Sequence, residues 1–169
     1  MNVDKHYDRD KAKHFIEGRH FVLHCHHYNT QLHRAIINTP FMDGPDFIFR
    51  VSRDDFYDTM GAVVKSKHIT GADQIKDACN ELYRYMGFGF FDMQGLGPKG
   101  GTVTALHSHL ATGYVNKWGA QEQPVDDVGR GFLAAAWALA YNGALKKCRV
   151  RQTKCIAQGH RAGEFTVEV

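Results

Sequence analysis

The sequence predicts an α+β fold, an antiparallel sheet packed by helices on one side, and three observations carry that expectation. Helical spacing dominates the first half, most clearly over residues 70–86, where Ile75, Ala78, Leu82 and Tyr85 recur on one face. The second half holds two pairs of apolar runs, each pair broken by a glycine-containing turn: residues 88–118 around GLGPKGG (95–101), and residues 146–169 around QGHRAG. Between them lies PVDDVGRGFLAAAWALAYNGA (124–144), an Ala- and Gly-rich helix with Pro124 near its start. Helices first, then hairpin, helix and hairpin, is the order of a fold whose strands and helices segregate.

Taken in order, the largely polar residues 1–20 read as a frayed or short helical lead-in. HFVLHCHHYN (20–29) reads as a strand or a strand-to-helix junction. A helix follows over residues 29–40, with Asn29 or Thr30 as its cap, Leu32, Ala35 and Ile36 on one face and Pro40 as its limit. Asp43-Gly44-Pro45 marks a turn. Residues 46–51 read as extended, and a helix begins at Ser52 with Phe56, Met60 and Val63 on its apolar face. Thr70 caps the next helix and Gly87 ends it.

Composition narrows the function. A chain of 169 residues with 43% hydrophobic and 23% charged side chains fits a single domain, residues 1–169, able to bury a core. The net charge of +3 comes with no run of Lys or Arg, which argues against nucleic acid. No apolar run approaches the ~20 residues of a membrane span, and the N-terminus lacks the apolar centre of a signal peptide. Cys25, Cys79, Cys148 and Cys155 show no C-x-x-C pairing, so reduced thiols and a cytoplasmic location are expected.

Histidines are the chemical signal. On a strand, His24 and His26 share one face while Cys25 and His27 take the other, and His107 and His109 follow the same rule. Two such strands side by side would converge four imidazoles, enough ligands for an open zinc or iron site, and His26 and His109 are the candidate acid–base pair. A helical reading of residues 24–33 instead puts His26 and His33 about two turns apart on one side. Three roles stay open: imidazoles satisfied by backbone groups, polar anchors of a small-molecule pocket, or metal ligands. Glu122, Asp126, Asp127 and Asp92 are candidate supporting carboxylates, and Cys25 reads as a small apolar side chain rather than a nucleophile. Tyr28, Phe91, Tyr114, Trp118 and Trp137 are the aromatic candidates for ligand contact. GLGPKGG lacks the order of a phosphate loop and joins two strands, so it is a turn.

TKCIAQGHRAGEFTVEV, the last 17 residues, resembles the C-terminal signature of the 4-vinyl-reductase-like, or hydrocarbon-binding, domain family. That pattern runs Cys, x, Ala, x, Gly, three residues, Cys, x, Phe; Cys155, Ala157, Gly159 and Phe165 match it, and Gly163 stands at the second cysteine. The helix VGRGFLAAAWALAYNGALKK resembles the family helix before its final hairpin. A weaker similarity, at Arg151 to Lys154, is to aminothiazoline-carboxylate hydrolase-like proteins. The resemblance covers about 50 residues well. It implies a compact domain related to TRAPP-type ligand-binding folds, pairing into homodimers around an apolar cavity. Relatives include a factor of bacteriochlorophyll synthesis and sensor domains that detect phenols, and some hold zinc through the two cysteines. With Gly163 in place of the second, one thiolate does not make that zinc site.

The expected function is binding of a small, largely apolar or aromatic molecule, tetrapyrrole-related ones among the candidates, in an internal pocket lined by histidines. The alternative is an enzyme, a hydrolase or a tetrapyrrole-processing one, using His24, His26, His107 and His109 with or without zinc or iron.

Overall fold

The computed structural model describes residues 2–169. It begins with a three-stranded antiparallel meander, β1 (Lys5–Asp8), β2 (Lys13–Ile16) and β3 (Arg19–Phe21), where a helical lead-in was expected. The reason is local. Glu17 and Gly18, at φ of 50° and 74°, form a two-residue turn whose twist suits a hairpin, and Ile16 pairs Arg19 across it. The turn dipeptide carries more structural information here than the charged composition around it.

Three helices follow: α1 (His26–Ile37), α2 (Gly44–Ser66) and α3 (Ala72–Tyr85). Helix α1 starts earlier than expected, with Cys25 at the cap position; Asn29 and Thr30 lie inside it, and the Thr30 hydroxyl donates back to the His26 carbonyl at 2.7 Å. Helix α2 is continuous from Gly44, with no extended segment before Ser52. The Asp43 carboxylate caps it by accepting from the Asp46 amide at 3.0 Å, and Pro45 fits the first turn, where no intrahelical N–H is needed. At α3 the cap position belongs to Gly71 rather than Thr70.

The main sheet runs β4–β6–β8–β7, all antiparallel, from β4 (Gly89–Asp92), β6 (Gly100–Ser108), β7 (Arg149–Lys154) and β8 (Gly163–Glu168); the short β5 (Leu96–Gly97) also pairs with β6. Both hairpins read from the sequence are present. The strand expected to continue past residue 108 instead turns into α4 (His109–Trp118): the Ser108 hydroxyl accepts from the Ala111 amide at 3.1 Å, and Gly119 stops the helix at φ 76°. Helix α5 (Asp127–Tyr141) is the Ala-rich segment.

One face of the sheet packs the core. Val103, Ala105, Phe165 and Val167 from the strands meet Phe132, Leu133 and Ala136 of α5, all buried. Small residues let α2 ride directly on α5. A Cβ built on Gly131 would lie 2.6 Å from the Arg53 amide nitrogen, so this contact accepts no side chain at that position. The α+β architecture with helices packed against an antiparallel sheet is the one the sequence predicts.

Candidate functional site

A cavity of about 960 Å³ lies between the meander, α1, α2 and the ends of α3 and α4. Its walls are mostly apolar: Phe21 from β3, Ile48 and Phe56 from α2, Phe88 after α3, Leu110 from α4. Phe56 connects the cavity to the core, its ring 5.5 Å from Tyr83 and 5.6 Å from Phe132. The polar groups of the α1–α4 wall are Asn29, His33 and His109. Asn29 and His33 are one helical turn apart and so face the same way.

His109 opens α4 and lines the cavity. The Asn29 side-chain amide donates to its Nε2 at 3.0 Å, which leaves the ring proton on Nδ1. Burial, and secondarily the charge of nearby His26, hold its pKa below the ordinary 6.5. The imidazole is therefore neutral at pH 7, a polar group in an apolar wall without a charge to solvate.

His33 is buried between two partners. Its Nδ1 and the Tyr114 hydroxyl are hydrogen-bonded at 2.8 Å; its Nε2 lies 3.3 Å from Asp127 Oδ2, close but outside hydrogen-bond alignment, so that nitrogen has no bonded partner. Asp127 in turn accepts from Arg130 at 2.7 Å. Burial pushes the Tyr114 phenol up to about 12, keeping it protonated. Next to this chain, the wholly buried Asp126 accepts from the Ser108 hydroxyl at 2.7 Å and from the Gly129 amide at 2.8 Å. Desolvation raises its pKa.

The expected site residues separate. His24 and His109 line the cavity; His26 sits behind the wall with its ring 6.2 Å from that of His109, and His107 is exposed outside it. The H-x-H alternation fails because both pairs straddle a helix start: α1 begins at His26 and α4 at His109, so neither pair lies on a strand. The helical reading, with His26 and His33 on one helix, is the observed one. Among the described residues no group of three or more His, Cys, Asp or Glu gathers as a metal ion requires, and the set His24, His26, His107, His109 does not assemble.

Nor do the five aromatic candidates line the cavity. Phe91, Tyr114 and Trp137 are buried in the packed interior, Trp118 packs on Tyr114 with the Arg34 guanidinium 4.3 Å from its ring, and Tyr28 is exposed against His24. Phe56 and Phe88 are among the aromatic side chains that line the cavity. The pair Asn29 and His33, polar groups one turn apart on an otherwise apolar face, was the readable signal for this wall.

No family model and no curated protein matches the chain. Among solved structures, the phenol-responsive sensory domain of the transcription activator PoxR, crystallised with phenol, superimposes with a TM-score of 0.78 at 10% identity, over 97% of this chain and 84% of that one. A vinyl-4-reductase family protein from Methanocaldococcus jannaschii aligns with a TM-score of 0.44 at 17% identity, over 85% of this chain and 92% of its own. The C-terminal signature thus led to the right architecture: this chain has the fold of the PoxR phenol-responsive sensory domain.

Proposed function

We propose that the chain binds a small, largely apolar or aromatic molecule in the cavity, with His24 and His109 orienting the polar atoms of the guest. The observation that carries this reading is the cavity itself, about 960 Å³ of mostly apolar wall interrupted by polar groups such as Asn29 and His109, which is the usual construction of a ligand site. A phenol-responsive domain with the same fold adds support. Recognition of a tetrapyrrole-related guest falls within the same proposal.

The test is native mass spectrometry on protein from its own cells, followed by titration of the ligand-free protein with 1-anilinonaphthalene-8-sulfonate. A co-purified guest, or dye binding that apolar competitors reverse, is the expected result; protein free of guest that also ignores the dye refutes the proposal. Binding weakens as the pH falls from 6.5 through the depressed pKa of His109, because protonation charges an apolar wall and displaces the Asn29 hydrogen bond. The same linkage makes stability fall on acidification across that window, since the unfolded chain takes up the proton more readily. His109→Asn removes the step.

A second reading is an enzyme in which the neutral, cavity-facing His109 acts as general base through Nε2 once a bound guest displaces the Asn29 amide from that nitrogen. Turnover of a cavity-bound guest, abolished in His109→Asn with binding retained, distinguishes it. We also propose a cytoplasmic homodimer. Four free cysteines fit a reducing compartment. The exposed apolar side chains Val22 and Leu23, which line the cavity, fit a covered surface. Sedimentation equilibrium gives the subunit number.

A further inference from the structure

We infer that the guest is a multi-ring aromatic bearing a hydroxyl or carbonyl group, larger than any single-ring phenol; this rests on the binding reading above and names its ligand class. Size comes first. A cavity of about 150 Å³ lined by aliphatic and aromatic side chains suffices for one benzene ring, and this one, at about 960 Å³, is several times larger. A lone ring on the α1–α4 wall would leave most of the apolar lining facing water.

The lining chooses rings over a chain. Phe15, Phe21, Phe47, Phe56 and Phe88 reach the cavity from four different segments, and Tyr7 and His14 add a stacked pair with ring centroids 4.5 Å apart. Flat faces arriving from several directions complement a flat guest through offset and edge contacts. The polar end is set by the α1–α4 wall. His109 lines the cavity as a neutral ring whose Nε2 is taken by the Asn29 amide, which leaves its Nδ1 proton to donate, and the Asn29 side chain lines the same wall. A guest hydroxyl or carbonyl oxygen beside them accepts that proton, whereas a purely apolar guest would leave the N–H without a partner once water is displaced. The far end of the guest lies along the rim, where Leu23, Leu32 and Val51 line the cavity yet remain exposed. Covering them with ring surface removes apolar area from water.

Calorimetric titration of the whole protein with phenol, 1-hydroxypyrene and dodecanol tests the assignment. 1-Hydroxypyrene is expected to bind on the order of thirtyfold more tightly than phenol, because the added ring surface leaves water, and more tightly than dodecanol. Val51→Trp, a change at an exposed rim position that the fold accommodates, fills the outer cavity. It is expected to weaken 1-hydroxypyrene by about tenfold and leave phenol unchanged. Phenol binding as tightly as 1-hydroxypyrene, dodecanol matching it, or a Val51→Trp variant that binds 1-hydroxypyrene like the parent each overturns the ring assignment while the binding reading stands. Failure of all three probes to bind overturns both.

Discussion

Where α5 crosses α2, backbone meets backbone: the Gly131 position lies so close to Ser52 and Arg53 that hydrogen is the only side chain it admits. The N-terminal meander meets the same helix in another way, through the ends of long side chains. Arg19 donates to the Thr59 hydroxyl at 3.3 Å and to the Asp58 carbonyl at 3.2 Å, while Lys67 pairs with Glu17 at 2.8 Å and donates to the Asn2 carbonyl at 2.9 Å. Ile16 is the one meander side chain fully buried. One face of α2 thus belongs to a packed interior and the other to a cavity wall roofed by a polar-anchored sheet. The contrast assigns stability to the first region and adaptability to the second, because tip-to-tip contacts with solvent nearby are individually weak and regions with few buried apolar contacts open locally.

The largest effect should come from breaking the packed side. Phe132 is wholly buried, with its ring 4.1 Å from Tyr83 and 5.2 Å from Phe91. Phe132→Ala is expected to cost ~3–5 kcal/mol in urea unfolding, through lost burial and the void left behind. Dye binding should weaken too, since Phe56 of the cavity wall rests on the same ring.

An intermediate effect should come from the boundary. Tyr114→Phe removes the hydroxyl bonded to His33 and leaves Nδ1 without a partner in a buried place. A loss of ~1–3 kcal/mol is expected, and because His33 lines the cavity, phenol affinity should change along with stability. A variant that loses neither would show that the Tyr114–His33 pair is idle.

The smallest effect on global stability should come from the roof. Arg19→Ala is expected to lower unfolding stability by no more than about 1 kcal/mol. Amide exchange over residues 5–21 should nevertheless accelerate while that of α5 stays unchanged. Equal acceleration in both regions would erase the distinction between them.

Legibility from sequence followed the same division. The interior was readable because its signals are local and repeated: Ile75, Ala78 and Leu82 at helical spacing, and two apolar pairs around glycine turns. The meander was missed because its charged composition concealed a Glu17–Gly18 turn, and a two-residue signal is easily outvoted by the charged and polar residues around it. The histidines misled for a different reason. Alternation assigns faces only within one strand, and both H-x-H pairs cross into a helix, where the face of each residue is set by the cap, Cys25 in one case and Ser108 in the other. The presence of a cavity was implied by the C-terminal signature, but its wall depends on contacts such as Asn29 with His109, 80 residues apart, which no local pattern encodes.

Ser108 bonds in two directions at once, receiving the Ala111 amide of α4 and donating to the carboxylate of Asp126 at the head of α5. The next residue along, His109, is therefore held on a socket whose shape owes nothing to its own side chain. Position 109 can exchange imidazole for another group without redirecting the bond from Cα to Cβ, so the chemistry of that wall can change while the scaffold stays as it is.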